Sequence, residues 1–163
     1  MKNDHQKENR ILALDPANRG FGFAVLEGLE RLIDWGVKEA RENRNDRCLC
    51  KVRDLVEQYQ PDVVVVEAPE GSRRGRRVKN LIKRIIHLAS KRKIKVCCFS
   101  RQKIREAFSQ YGAYTKHQIA TAIAERFPEL SPRLPPFRKP WMSEDYRMAI
   151  FDAVSFALTF FFF

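Results

Sequence analysis

Histidines and paired cysteines are scarce in this sequence, and their scarcity argues against the common zinc sites. Only three histidines are present, and none lies at zinc-ligand spacing beside a cysteine. The four cysteines, Cys48, Cys50, Cys97 and Cys98, form no Cys-X-X-Cys pair. Because Cys97 and Cys98 fall in an apolar run, we expect buried thiols, which is typical of proteins in a reducing cytosol.

Signal and membrane-spanning segments are also missing from the pattern. The first ten residues are polar and charged, so we do not expect a signal peptide. The run from Met148 to Phe163 is strongly apolar, but it is short for a membrane span and contains Asp152. We expect a buried helix there, with a tail anchor as the alternative. The sequence therefore predicts a cytoplasmic protein with no membrane partner.

Positive charge, by contrast, is in excess. Lysine and arginine total 31 against 20 acidic residues in 163, which gives a net charge of +11 and an isoelectric point near 9.8. This balance favours a polyanionic partner, usually nucleic acid and sometimes an anionic membrane surface. The charge is dense just after Glu67, in a segment that reads either as phosphate-binding or as a solvated helix face. The nucleic-acid-binding candidates are Arg73, Arg74, Arg76, Arg77, Lys79 and Lys83.

The hydrophobic pattern predicts an α/β fold in the order β-β-β-α-β-α-β-α-α-α. We expect a mixed five-stranded sheet, in which a three-strand antiparallel meander joins parallel strands, with helices on both faces. Residues 1–9 are expected to form a disordered lead, and residues 10–163 a single domain. The predicted strands are centred on residues 11–14, 21–25, 33–37, 63–66 and 94–99.

The expected helices follow 3.6-residue apolar stripes, and prolines mark the longest loop. Thr115 is a plausible N-cap for one helix, and Ser143 for a final helix that runs to about residue 160. Residues 128–142 contain five of the eight prolines and read as an irregular loop. The apolar stripes of the helices before the final one cover residues 48–59, 78–89, 104–111 and 119–127.

Two carboxylates follow buried strands. Asp15 comes after four apolar residues, and Glu67 comes after four valines. Right-handed crossovers would place these strands side by side, and ligands bind at the carboxyl ends of parallel strands. Two nearby anions raise each other's pKa unless a cation separates them, and oxygen ligands alone favour Mg²⁺ or Mn²⁺. The alternative is that Asp15, before Pro16, is a turn residue and Glu67 begins a loop.

The final helix supplies further acids. Asp145 and Asp152 are seven residues apart, so in one helix they would share a face. Asp152 interrupts an apolar run and needs a partner or a metal, whereas Asp145 could simply stabilise the helix dipole. Glu144 reads as a solvent-facing or capping acid. Such a set of carboxylates is what two-metal phosphodiester cleavage requires: the acids hold two divalent ions, one ion lowers the pKa of the attacking water, and the other stabilises the leaving oxygen.

Four segments together resemble the conserved blocks of RuvC-type Holliday-junction resolvases, in the same order. They read ILALDPANRGFGFAVLEG, PDVVVVEAPEG, TKHQIATAIAERF and EDYRMAIFDAVSFAL, and they span residue 10 to about residue 159. The resemblance implies an RNase H-like fold and a Mg²⁺- or Mn²⁺-dependent endonuclease with two ions held by four acids. Asp15, Glu67 and Asp152 match three of those acids, and Lys116 matches the family's lysine. On its own, Lys116 would read as a surface residue.

The resemblance also implies a homodimer that acts on four-way DNA junctions, but two positions depart from the family. Ala149 stands where the family often has a second helix acid, so Asp145 would have to serve as the fourth metal ligand. The loop after Glu67 is basic and has no aromatic residue, although the family places an aromatic wedge there. Two alternatives follow: a nuclease of this fold that acts on RNA or flaps, and a non-catalytic nucleic-acid-binding module.

Overall fold

The structure is a computed structural model of the chain, and it describes residues 8–163. Residues 1–7 of the predicted disordered lead lie outside the described residues. Three strands, β1 (Arg10–Ala17), β2 (Gly20–Glu27) and β3 (Arg31–Glu39), form the predicted antiparallel meander. Gly28 supplies the predicted turn between β2 and β3, with a φ of 69° that favours glycine.

Two parallel strands extend the sheet on the other side of β1. Helix α1 (Arg44–Tyr59) leads to β4 (Val63–Glu67), and helix α2 (Arg76–Lys91) leads to β5 (Lys95–Phe99). The sheet order is β3-β2-β1-β4-β5, so β4 lies beside β1 as predicted. The carboxyl ends of β1, β4 and β5 therefore meet at one edge of the sheet.

The remaining helices follow β5. They are α3 (Arg101–Ser109), α4 (Lys116–Arg126) and α5 (Met148–Phe162), with a short 3-10 helix at Pro128–Arg133. Thr115 caps α4 as predicted, because its hydroxyl accepts from the backbone of Gln118. Alternate strand residues face two cores: α1 and α2 cover one side of the sheet, and α3, α4 and α5 cover the other. The predicted fold class is confirmed.

Helix α5 is the most deeply buried helix, and its position fixes the site. Residues 148–159 are all buried, since the helix packs on β1 and β2 beneath α3 and α4. Gly22 on β2 allows this approach: a Cβ there would lie 2.3 Å from the carbonyl oxygen of Ala149. Within residues 8–163, no helix has the length and apolar character needed to cross a membrane.

The prediction of a buried last strand with buried thiols is wrong. In the described part of the chain, β5 pairs with β4 alone and forms the edge of the sheet. Cys97 is consequently half-buried and Cys98 is exposed. A continuous apolar run fits an edge strand as well as a central one, so the pattern could not separate the two. All four cysteines are free thiols.

The predicted start of the final helix is also wrong. Ser143 caps no helix, because α5 begins at Met148 after a turn. In that turn the side chain of Asp145 accepts a hydrogen bond from the backbone N–H of Arg147 at 2.9 Å. Asp145 and Asp152 therefore do not lie on one helical face. Part of the predicted proline-rich loop also forms the short 3-10 helix at Pro128–Arg133.

Candidate active site

Three of the four predicted acids meet at the carboxyl edge of the sheet. Asp15 lies on β1, opposite Gly22 of β2, and Glu67 is the last residue of β4. Asp152 lies in α5, which crosses beneath them. Their exposed fractions are 1%, 3% and 5%, so all three carboxylates are withdrawn from water. A buried acid is costly unless it is paired, and each of these has cationic partners.

Arg74 is the first cationic partner. It lies in the loop between β4 and α2, among the residues predicted to contact nucleic acid. Its Nη2 lies 2.8 Å from Oδ1 of Asp15, and its Nε lies 3.3 Å from Oε2 of Glu67. One guanidinium therefore links two of the acids, and Arg74 points into the acid cluster (Asp15, Glu67 and Asp152).

Arg101 is the second partner, and the sequence interpretation missed it. It begins α3 directly after β5, so the third parallel strand delivers it to the same edge. Its Nε donates to Oε1 of Glu67 at 3.1 Å, and its Nη2 lies 3.5 Å from Oδ1 of Asp15. Its Nη1 lies 3.4 Å from Oδ1 of Asp152, so this guanidinium contacts all three acids. Its place after a parallel strand was the available signal.

Lys116 begins α4 and completes the positive side of the site. Its Nζ lies 3.0 Å from Oδ2 of Asp152 and 3.0 Å from both carboxylate oxygens of Glu144. Lys116 is thus at the acid cluster. Glu144, which we interpreted as a solvent-facing or capping acid, is exposed but is paired with this lysine. It brings a fourth carboxylate near Asp152.

Asp145 lies apart from these contacts. The guanidinium of Arg147 forms a bidentate ion pair with the Asp145 carboxylate, with Nε 3.0 Å from Oδ1 and Nη2 2.8 Å from Oδ2. These hydrogen bonds hold the pKa of the Asp145 carboxyl below its usual range. Its assignment as the fourth metal ligand stays a prediction.

Burial and neighbouring charges have opposing effects on the pKa values of the side chains in the site. The pKa of Asp15 is raised to about 7, mainly by burial and further by the charge of Asp152, and Arg74, Arg101 and Lys116 limit the rise. Burial alone would lower the pKa of Arg101, but Asp15, Asp152 and Glu67 together raise it above its ordinary value. Arg101 therefore stays charged, and it provides charge compensation that the acids need.

The donor set fits a hard divalent cation in chemical type. It consists of buried carboxylate oxygens, and Oδ2 of Asp152 accepts no hydrogen bond from residues 8–163 despite its ion pair with Lys116. In the same residues, no group of three or more His, Cys, Asp or Glu side chains is arranged to hold a metal ion. The guanidiniums of Arg74 and Arg101 lie between the carboxylates instead. The acids therefore suit Mg²⁺ or Mn²⁺. The guanidinium groups of the two arginines must move away before the carboxylates could bind one metal ion together.

A cavity of about 640 Å³ opens over Glu67 between the β4–α2 loop and the starts of α3 and α4. Arg73, Arg74, Arg101, Arg105 and Lys116 line it, so its walls are strongly cationic. This is the charge and place expected for a phosphate approaching the acids.

The other predicted nucleic-acid-binding residues lie along the same loop and on α2. Arg73, Arg76 and Lys83 are exposed, and Lys79 is half-buried. Arg77 is half-buried and donates to the carbonyl oxygen of Ala17 at 3.1 Å, so it supports the loop. The predicted basic residues therefore divide into exposed charges and arginines engaged within the protein.

Comparisons with known proteins identify the fold. No protein-family model matches the chain, and no curated protein sequence matches it. Two solved structures of RuvC from Thermus thermophilus, one in complex with a Holliday junction substrate, give TM-scores of 0.67 and 0.68 at 18% identity. In both cases the match covers 94% of this chain and 93% of the RuvC chain.

A third solved structure agrees with these two. The yeast mitochondrial Holliday junction resolvase Ydc2 gives a TM-score of 0.64 at 14% identity, covering 96% of this chain and 79% of that chain. The chain therefore has an RNase H-like fold. More narrowly, it has the RuvC-type form of that fold, as the four sequence blocks imply.

Proposed function

We propose that this chain is a metal-dependent endonuclease that cleaves phosphodiester bonds in branched DNA, with a four-way junction as its substrate. One observation carries the proposal: acids from β1, β4 and α5 converge, buried, beneath a cationic cavity. The RuvC-type fold supports it, because the RuvC and Ydc2 structures are those of Holliday junction proteins. The net charge of +11 suits a polyanionic substrate.

Asp15, Glu67 and Asp152 are the proposed ligands of two Mg²⁺ or Mn²⁺ ions. The fourth is either Asp145, as predicted from the sequence, or Glu144, which shares Lys116 with Asp152. When bound, such ions supply a water of lowered pKa and stabilise the leaving oxygen. Lys116 forms an ion pair with Oδ2 of Asp152 and offers a positive charge to the scissile phosphate. The sheet and α5 fix the acids, so their spacing is set by the core.

Arg74 and Arg101 have two possible kinds of partner, the acids and a phosphate. Guanidinium groups bind phosphate and carboxylate in the same forked geometry. When DNA enters the cavity, its phosphates compete for the two arginines and release the carboxylates. In this proposal the arginines keep the acids neutralised in the free protein and turn towards the backbone of bound DNA.

The rest of the proposal concerns the whole molecule. Residues 10–163 act as one domain, and Arg73, Arg76, Lys79 and Lys83 lead DNA towards the cavity, with Arg77 bracing the loop. A homodimer would present two such sites to the two-fold symmetry of a junction. The four free thiols agree with a cytoplasmic location.

Cleavage of a synthetic four-way DNA junction tests the proposal. Linear duplex, single strand and RNA–DNA hybrid serve as matched substrates, each with Mg²⁺, Mn²⁺ or EDTA. Asp15→Asn and Asp152→Asn are compared with Asp54→Asn, which changes an exposed acid on α1. We expect paired symmetric nicks on the junction only, lost in EDTA and in the first two variants. Cleavage of another substrate would retain the metal chemistry and overturn the junction assignment.

Each of the two alternatives is favoured by observations of its own. The two arginines that neutralise the acids, together with Ala149, favour a catalytically silent nucleic-acid-binding module. That module would bind DNA equally with and without Mg²⁺, and Asp15→Asn would behave like the wild type. The basic β4–α2 loop, which has no aromatic residue, favours a nuclease for RNA or flaps. Its substrate preference would appear directly in the comparison of substrates.

A further inference from the structure

The two most exposed of the large apolar side chains in residues 8–163 lie in one segment next to the acid site. Between the 3-10 helix and α5, Phe137 is 72% exposed, Trp141 is 78% exposed and Met142 is 46% exposed. We call residues 134–147 the aromatic loop. Leaving such large apolar surfaces in water is unfavourable, and a concentrated apolar patch marks a binding surface.

The aromatic loop forms one wall of a cavity of about 320 Å³. Pro135, Pro136, Phe137 and Met142 give it an apolar wall, and Lys116 lies on its far side. Because Lys116 also contacts Asp152 at 3.0 Å, the cavity adjoins the acid cluster. A ligand in this cavity would therefore lie next to the bond that the acids act on.

Basic and aromatic residues alternate along the loop. The sequence FRKPW places Arg138 and Lys139 between the two aromatic rings, and Nζ of Lys139 lies 5.3 Å from the Trp141 ring centre. Glu144 and Asp145, the acids nearby, are engaged by Lys116 and Arg147. Arg138 and Lys139 form no ion pair with an acid among residues 8–163. Aromatic rings with such cations beside them are the features that bind unpaired nucleotides, since bases stack and phosphates pair with the charges.

The loop is also held in shape before any ligand binds. Nη1 of Arg138 donates to the carbonyl oxygen of Met142 at 3.0 Å, and the N–H of Met142 donates to Lys139 at 3.0 Å. The Phe137 ring packs edge-on against His117 of α4, with 5.5 Å between ring centres. Prolines restrict the backbone further. A preformed platform loses little conformational entropy on binding.

We propose that the aromatic loop is a nucleobase-binding platform for unpaired bases of branched DNA, in which Phe137 stacks in the cavity beside the acid cluster and Trp141 stacks further along the same exposed loop. The proposal deepens the proposed function and rests on DNA being the substrate. It gives the protein a means of distinguishing a strand with unstacked bases from continuous duplex, in which bases are not free to stack on a protein ring.

DNA binding in EDTA tests this without cleavage. Fluorescence anisotropy would compare wild type, Trp141→Ala and Phe137→Ala on a four-way junction, oligothymidine and continuous duplex. The matched control is Phe163→Ala, which removes a 59% exposed ring at the other end of α5. We expect each loop variant to weaken junction and oligothymidine binding about 10-fold, with duplex binding within about 2-fold. The control should bind like the wild type.

A second readout identifies the ring that stacks. In a Trp35→Phe protein Trp141 is the sole tryptophan, so its fluorescence reports on this loop alone. We expect oligothymidine to quench it, and an abasic strand of equal length and charge to leave it unchanged. Equal losses on every DNA, or no quenching, would overturn the platform. The platform would also be overturned if Trp141→Ala bound DNA as tightly as the wild type but no longer formed the wild-type oligomer, since the loop would then bind a second copy of the chain.

The failure of this proposal can be told apart from failure of the proposed function. A protein that stacks bases but cuts nothing would retain the platform and lose the nuclease. A protein that cuts junctions with Trp141→Ala as well as the wild type, and binds them equally, would retain the nuclease and lose the platform.

Discussion

The Nε of Arg101 donates to Oε1 of Glu67 across 3.1 Å, which joins the first residue of α3 to the last residue of β4. The sheet sets the positions of both residues, because β4 and β5 are parallel neighbours whose carboxyl ends lie together. The same guanidinium reaches Asp15 and Asp152. Any cation that binds these acids must therefore compete with a side chain that the fold delivers to the same place.

Replacing Arg101 should separate charge compensation from metal binding. In Arg101→Gln the three acids keep Arg74 and Lys116 as cationic partners but lose the one side chain that contacts all three, so the metal-free protein should lose up to about 3 kcal/mol of stability. The affinity for Mn²⁺ should rise several-fold, because the competing guanidinium has gone. Chemical denaturation in EDTA measures the first effect, and calorimetric titration with Mn²⁺ measures the second.

Arg105→Gln is the control for this experiment, since Arg105 lies one turn further along α3, lines the same cavity and is exposed. We expect its stability and Mn²⁺ affinity to stay near those of the wild type. If Arg101→Gln bound Mn²⁺ more weakly than the wild type, Arg101 would support the metal site and the competition would be disproved.

Local sequence patterns predicted where the strands lie and pointed to three acids that the structure buries, whereas their role as metal ligands stays a prediction. Asp15 and Glu67 follow apolar runs whose length is typical of central strands, the run before Glu67 is entirely β-branched, and Asp152 is the one charge in an apolar helix. Each signal is complete within a few residues. Such signals predict that the segment itself is buried, and the structure does bury these three acids.

The cationic half of the site was harder to predict because its contacts join distant residues. Arg101 contacts Asp15 across 86 positions, and Lys116 contacts Glu144 across 28. The start of α5 also depended on tertiary packing: the helix begins where residues can be buried beneath α4, and the polar SEDYR segment stays outside it. No local periodicity encodes either relationship.

Gly22→Ala should destabilise the protein through the position of α5. An added Cβ would lie 2.3 Å from the carbonyl oxygen of Ala149, which is backbone and cannot rotate away. Overpacking of this kind costs about 1–3 kcal/mol, and relieving it would shift the helix that carries Asp152. Urea denaturation checks the stability, and the control Gly75→Ala has no described atom within 4 Å of the new Cβ. Equal losses in both variants would show that α5 is not held through Gly22.

Glu144 and Asp145 are competing candidates for the fourth acid. Glu144 shares Lys116 with Asp152, whereas Asp145 is gripped by Arg147. We therefore expect Glu144→Gln to lower junction cleavage and Mn²⁺ affinity by about 10-fold or more, with a smaller loss in Asp145→Asn. Both quantities should be measured, because a fall in cleavage alone could come from the freed Lys116. A larger loss of Mn²⁺ affinity in Asp145→Asn would establish Asp145 as the ligand.

Asp15 should make the stability of the metal-free protein depend on pH. Burial raises its pKa from 3.8 to about 7 in the folded state, so between these values the folded protein holds a proton that the unfolded chain has released. The folded state therefore binds more protons, and stability should fall as the pH rises through this window. Thermal melting in EDTA at several pH values between 4 and 8 measures the slope. In Asp15→Asn the other titrating groups remain, so its melting temperature should fall less steeply than that of the wild type. Parallel curves for the two proteins would mean that Arg74, Arg101 and Lys116 keep Asp15 ionised throughout. Ion pairs, instead of a bound proton, would then compensate for the burial of the Asp15 carboxylate.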